Sequence, residues 1–433
     1  EVNMGYNGSE NFAKGHRWGF FPSIALGYNI SEESFFEPLR KVITSMKLRG
    51  SWGLVGNDQI GGERFIYMPT INLSGKGFTT GIDQNYGLSG PVYTRYENNS
   101  ITWEVGEKIN LGIDLQLLNS LNIVVDIFRE TRRDIFQKKG TIPTYLGTGN
   151  TDVFGNLAEM KNQGLDLSID YNKAFSKDFY MNFKGTFTYA HNEITKYDEA
   201  PKYAFQSKVG QSANVSQGYL SNGLFLDEAE IDRYNQQMGS TLGAGDIKYL
   251  NVSNMHGYGD DIVDVDDWTW IGNPTVPEIV YGFGPSFKYK NWDFSFFFQG
   301  VAKTSLFMSG FHPFGDNSLR NVLQFVANDR WSPTNQNVDA KYPRLTRKTS
   351  LNNTNPGNSG RTSDYWMRDG SFLKLKNMEL GYTFKRMRFY ISGSNLLTFS
   401  KFDLWDPEQG GGSGLKYPTQ RVFNVGFQMT FNN

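Results

Sequence analysis

The sequence has 433 residues, with 43 Lys and Arg against 44 Asp and Glu, so its formal net charge is −1. This balance gives no electrostatic basis for nucleic-acid binding, and the absence of cysteine excludes disulfides, thiolate zinc sites and cysteine nucleophiles. Phe, Tyr and Trp make up 15% of the chain and there are 47 glycines, a composition suited to strands and tight turns. No stretch approaches the ~18–20 apolar residues of a membrane-spanning helix. The mean hydropathy of −0.49 does not exclude a transmembrane barrel, whose strands alternate apolar and polar residues.

In chain order, alternation predicts a partial strand at 1–8 and full strands near 20–30, 47–56, 103–117, 121–136, 160–173, 179–197, 279–289, 292–307, 372–384, 387–399 and 421–431. Ile109, Leu111, Ile113, Leu115 and Leu117 share one face, opposed by Asn110, Gly112, Asp114 and Gln116. Leu165, Leu167, Ile169 and Tyr171 repeat this, as do Phe423, Val425, Phe427, Met429 and Phe431. Soluble half-buried sheets alternate in the same way, so loop lengths carry more weight. Short turns at Asn119-Ser120, Phe175-Ser176-Lys177, Lys290-Asn291 and Lys385-Arg386 alternate with long connections at 57–102, 137–159, 198–278, 308–371 and 400–420. Outer-membrane barrels arrange periplasmic turns and extracellular loops in this way. On the short-turn side only 31–46 is long; Ser31 is expected to N-cap a short helix there, with Glu32 and Glu33 in its first turn. The expectation is an all-β fold, a transmembrane antiparallel β-barrel segment of about 12 strands with long extracellular loops.

The last strand reads polar-x-Gly-x-x-apolar-x-aromatic through Asn424, Gly426, Met429 and Phe431. It resembles the C-terminal signal read by barrel-assembly machinery; an ordinary amphipathic strand would look similar. The histidines, His16, His191, His256 and His312, stand apart with no zinc-hydrolase spacing. No serine lies in a supported nucleophile elbow, which disfavours an enzyme, although sequence order alone does not exclude a Ser-His or Asp-His constellation. The acidic run 260–267 sets carboxylates at intervals short enough to surround a calcium or magnesium ion; the alternative is a solvated acidic loop. Tyr258, Trp268, Trp270, Trp331, Tyr365, Trp366 and Trp405 lie in long connections, suited to stacking on sugars, anchoring loops or meeting a partner.

A series of blocks in order resembles the SusC/RagA-type TonB-dependent transporters. It begins with Phe21-Pro22-Ser23-Ile24, Leu48-Arg49-Gly50-Ser51-Trp52-Gly53, Thr102-Trp103-Glu104, Asn110-Leu111-Gly112-Ile113-Asp114 and Asp126-Ile127-Phe128. Gly245-Asp246-Ile247-Lys248-Tyr249, Arg330-Trp331-Ser332-Pro333, Tyr342-Pro343-Arg344-Leu345, Phe372-Leu373-Lys374 and Asp406-Pro407-Glu408 continue it. The resemblance implies a plugged barrel of about 22 strands, with residues 1–433 as its C-terminal part and the plug and TonB box outside this sequence. It also implies the outer membrane of a Gram-negative bacterium, a SusD-like surface lipoprotein, energy from TonB, and an oligosaccharide or peptide as cargo. An N-terminal remainder of the barrel is expected, because open sheet edges are not tolerated in lipid. The acidic run falls where the family carries an Asp-rich loop, and the resemblance implies Asp260, Asp264 and Asp267 as its ligands, but Asn251 to Gly259 depart from the usual order. A siderophore or cobalamin receptor, an outer-membrane enzyme and a surface adhesin are the alternative functions. A co-purifying lipoprotein separates the first from the leading reading, and hydrolysis lost on changing one Ser or His would establish the second.

Overall fold

The computed structural model describes residues 1–62, 64–143, 152–234, 236–237, 242–309, 321–345 and 362–431. One antiparallel sheet of twelve strands runs through the chain, each strand beside its predecessor. They are β1 (Val2–Gly8), β2 (Trp18–Asn29), β3 (Ile43–Asn57), β4 (Glu104–Leu117), β5 (Leu121–Lys138) and β6 (Phe154–Ala174). Then come β7 (Phe179–Lys196), β8 (Ile279–Tyr289), β9 (Trp292–Ala302), β10 (Phe372–Phe384), β11 (Met387–Ser400) and β12 (Val422–Met429). These follow the expected strands, with three differences. The strand expected over 292–307 stops at Ala302, and Ser305–Phe307 pairs instead with Met367–Asp369. A hairpin of Thr70–Thr80 and Tyr86–Arg95 occupies the connection after β3, where its glycines and irregular register hid the period. Ser31 is not an N-cap: it is buried inside a 3-10 turn, Ile30–Glu32, and its carbonyl accepts from Arg40 Nε at 2.7 Å.

The chain divides into two compact units, one of residues 1–169, 189–201 and 207–213, the other of 170–188, 202–206 and 214–433. In the first unit the register lines apolar residues into rows across β2 to β5. Ile24, Trp52 and Ile109 form one, and Tyr28, Leu48, Ile113 and Val125 another. In the second unit Phe287, Phe294, Leu380, Ile391 and Val425 continue strand to strand from β8 to β12. These faces are open: Leu26 is 71% exposed and Val425 87%. Exposed apolar belts of this kind are what a lipid-facing barrel surface requires.

The opposite face is polar, and in both units an arginine is clamped there over a glycine. Arg49 on β3 reaches across Gly112 on β4 to Asp126 on β5 (3.0 Å) and also binds Asp114 (2.8 Å). Arg388 on β11 reaches Asp293 on β9, with Nε–Oδ1 at 3.0 Å, and Glu379 on β10 at 2.6 Å, beside Gly381. A Cβ on Gly112 would fall 2.5 Å from Asp126 Oδ1 and 2.8 Å from Arg49 Nη2. The Arg-Gly, Gly-x-Asp and Asp-x-Phe blocks of the sequence therefore meet in one clamp. Gly112→Val is expected to displace the guanidinium and cost about 1–3 kcal/mol. Heat-modifiable gel migration checks this, with the variant unfolding at lower temperature.

Candidate functional site

Away from the sheet, the second unit packs a core of its own from short pieces of three long connections. Tyr219, Leu224, Ile247, Tyr249, Leu306, Met308, Trp331 and Trp366 are all at most 5% exposed and form one cluster. Backbone pairing is sparse: Ser216–Gly218 pairs with Thr269–Ile271, and Ser221–Leu224 with Ile247–Tyr249. Side chains supply the rest. Asp246, fully buried, binds Arg344 through two bonds of 2.7 and 3.1 Å and accepts from Gly243 N–H at 3.0 Å. Gln237 accepts from Tyr249 N–H and donates to the Ile247 carbonyl, capping that short strand.

The acidic run belongs to this architecture. Asp267 is fully buried and accepts from Ser253 N–H (2.8 Å) and Asp264 N–H (2.9 Å). Asp264 closes a reciprocal capping box over the 3-10 turn Val265–Asp267. Asp260 accepts from Ile262 N–H at 3.2 Å and Asn251 Nδ2 at 3.3 Å, and Asp266 pairs with Lys202. These carboxylates serve caps and turns, and among the described residues no three Asp, Glu or His side chains are grouped to hold a metal ion. Burial raises the Asp267 carboxyl above its ordinary value, although the Ser253 and Asp264 N–H bonds act in the other direction. Asp267→Ala removes two buried acceptors and is expected to cost about 2–3 kcal/mol. Thermal unfolding with and without calcium checks the assignment: the loss is expected to be the same in both, and stabilisation of the unsubstituted protein by calcium would count against it.

Of the loop aromatics, Trp331 and Trp366 are core residues, and the Tyr365 hydroxyl donates to the Ala340 carbonyl. Tyr258 is 49% exposed, beside Tyr203 and Phe205. His256 stacks on Phe205 at 4.7 Å, His16 and His191 lie in the first unit, and His312 lies outside the described residues. Trp405 borders a cavity of about 450 Å³ on the polar face of β10 and β11. Thr398 and Ser400 line it, while Leu397 and Phe399, which alternate with them, point to the open apolar face at 50% and 55% exposure. Asp403, Arg421 and Asn395 add polar groups, and Trp405 is fixed by its Nε1 bond to the Gly410 carbonyl and by Phe402 against its ring. The floor is held by Lys374, 1% exposed, which binds Asp406 at 2.5 Å and Glu408 at 2.8 Å. Sequence reasoning missed this cavity: its residues come from three segments, and although Trp405 and the Phe-Leu-Lys and Asp-Pro-Glu blocks fall in it, no local pattern joins them. A concave site of this size with one fixed aromatic and several polar groups can hold one or two units of an oligomer.

In the closing strand Asn424 pairs with Ser392, Gly426 with Tyr390 and Met429 with Met387. Phe431 lies beyond the strand, 79% exposed. Gly426 has a reason within the fold, since a Cβ there would meet the Tyr390 ring at 2.0 Å.

Residues 2–396 match the family described as TonB dependent receptor-like, beta-barrel. The chain belongs to that family. It is 28% identical to the TonB-dependent receptor SusC of Bacteroides thetaiotaomicron over 455 residues, covering 99% of this chain and 42% of SusC. It is 26% identical to TonB-dependent receptor P3 of Formosa agariphila, over 98% of this chain and 43% of that protein. The structure of the RagAB peptide transporter superposes with a TM-score of 0.71 at 21% identity, over 99% of this chain and 45% of the other, a likeness of fold. The chain thus spans less than half the length of the curated relatives it matches. The expected SusC/RagA-type TonB-dependent β-barrel is the fold found, with its twelve strands and long connections. These relatives are receptors and transporters, which supports a role other than catalysis.

Proposed function

We propose that this chain is the substrate-facing part of a TonB-dependent importer in the outer membrane of a Gram-negative bacterium, working with a SusD-like lipoprotein on an oligomeric nutrient. The observation that carries the reading is the cavity at Trp405, between the polar face of β10 and β11 and the connection 401–421. A fixed indole beside Asp403, Arg421 and Asn395 suits a sugar ring, whose apolar face stacks while its hydroxyls exchange hydrogen bonds. Oligosaccharide is accordingly the substrate we favour. Peptide is the second reading, supported by the likeness to the RagAB peptide transporter and by the opposite charges of Asp403 and Arg421 in the lining. The closing strand through Asn424, Gly426, Met429 and Phe431 would serve assembly into the membrane.

Calorimetry on the full-length protein with its lipoprotein, against oligosaccharides and peptides, tests this. Trp405→Ala and Asp403→Ala are each expected to weaken oligosaccharide binding about tenfold, and loss of TonB to abolish uptake. Binding of peptides alone would replace the sugar reading with the peptide one. Purification without a lipoprotein partner, together with chelate binding, would overturn both.

A further inference from the structure

The short-turn end of the second unit carries a repeated pair that import does not use. Three turns each set a lysine over an aromatic ring. Lys173 Nζ lies 5.4 Å from the Phe175 centroid, Lys290 5.6 Å from Tyr289 and Lys385 5.5 Å from Phe384. The turns adjoin one another: Lys290 N–H donates to the Asp178 carbonyl at 2.7 Å, and Thr383 N–H to the Asn291 carbonyl at 2.8 Å. Phe179 bridges the rings, 5.3 Å from Phe175 and 6.4 Å from Tyr289. Phe175, Tyr289 and Phe384 are 50%, 53% and 49% exposed, so they lie open beside the ammonium groups.

Positive charge predominates around them. None of the three lysines makes an ion pair among the described residues, and Lys177, Lys288 and Arg386 add further cations. The acidic neighbours are Asp178 and Asp293, and Asp293 is taken by Arg388. Lys290 and Lys385 hold φ of +53° and +54°, a conformation more often given to Gly or Asn. Turn geometry alone therefore does not explain a lysine at both. In the first unit the turn at 118–120 is Leu-Asn-Ser and carries no charge.

We propose that this rim binds anionic phospholipid headgroups of the leaflet met by the short turns. The phosphate lies against Lys173, Lys290 and Lys385, and the glycerol and upper acyl carbons lie on Phe175, Tyr289 and Phe384. The proposal rests on the membrane-barrel reading. Its arguments are charge complementarity and continuity with the open apolar belt: aromatic rings sit at the headgroup level of membrane proteins, and basic residues at an anionic surface each strengthen attachment about fivefold. A soluble acidic partner would gain nothing from the apolar rings.

The test uses the full-length protein, titrated in detergent with phosphatidylglycerol and phosphatidylcholine of identical acyl chains, with bound lipids counted by native mass spectrometry. The unsubstituted protein is expected to retain phosphatidylglycerol severalfold over phosphatidylcholine. The triple variant Lys173→Gln, Lys290→Gln, Lys385→Gln is expected to lose that preference about tenfold or more with heat-modifiable migration intact, and the triple Lys→Arg variant to keep it. Equal retention of both lipids, or an unchanged preference in the Gln variant, would overturn the headgroup site. So would glycerol phosphate binding as tightly as the lipid. Failure to insert into bilayers of either composition would instead overturn the membrane reading beneath it.

Discussion

Replacing Asp246 with Ala is expected to loosen the loop core of the second unit by about 3–4 kcal/mol, the loss typical of breaking a buried ion pair from one side. Asp246 is fully buried, its two bonds to Arg344 join segments 98 residues apart, and it holds the Gly243 N–H. Its removal takes from the Arg344 guanidinium, 30% exposed, the carboxylate that its two bonds of 2.7 and 3.1 Å reach. Gly245 makes the site unforgiving: φ is +83°, and a Cβ there would meet the Trp331 ring at 2.4 Å. Hydrogen exchange over residues 219–263 is the measurement. Protection is expected to fall there while the strands of the sheet keep theirs. Pairing Asp246→Ala with Arg344→Met should recover part of the loss, because no unpaired charge then remains. A double variant as unstable as the sum of the two singles would argue that the pair is not coupled.

The same residues explain what the sequence reveals and what it hides. Strand positions were legible because each strand has one open apolar face and one polar face, so alternation persists over ten or more residues. Loop alternation then oriented the sheet. The loop core was hidden because its order comes from pairs far apart in sequence, such as Asp246 with Arg344, joining strands only three or four residues long. No local period marks such pieces. The family blocks marked their positions without giving the reason: Gly245-Asp246 and Tyr342-Pro343-Arg344 are two halves of one contact. The acidic run has a second, structural reading. Closely spaced carboxylates suggest cation ligands, yet a short 3-10 turn needs acceptors for its free N–H groups, and Asp264 and Asp267 supply them. Trp331 and Trp366, readable as sugar-stacking residues, pack in the core, whereas Trp405 borders the cavity.

Lys374→Met is expected to reverse the pH response of the 401–421 connection. In the unsubstituted protein burial would raise the carboxyls of Asp406 and Glu408. The bonds from Lys374 to both, and from Lys376 to Glu408, more than offset it, and both ionise below the ordinary carboxylate range. A carboxyl depressed in the folded state contributes stability above its unfolded pKa, about 4, and loses it as pH falls through the folded value. The connection should therefore stay protected from proteolysis at neutral pH and open progressively below about pH 4. Without the ammonium, two carboxylates share a part-buried site, and Glu408 keeps Lys376 at 2.7 Å. Each then favours its protonated form, so the variant is about 3 kcal/mol less stable locally at pH 7 and regains protection as pH falls towards 5. Limited proteolysis from about pH 3 to pH 8 separates the two curves by sign as well as size. Because Lys374 also lines the cavity at Trp405, binding of the proposed oligosaccharide should follow the same reversed profile. A variant that loses protection on acidification, as the unsubstituted protein does, would show that the lysine is not what holds this connection down.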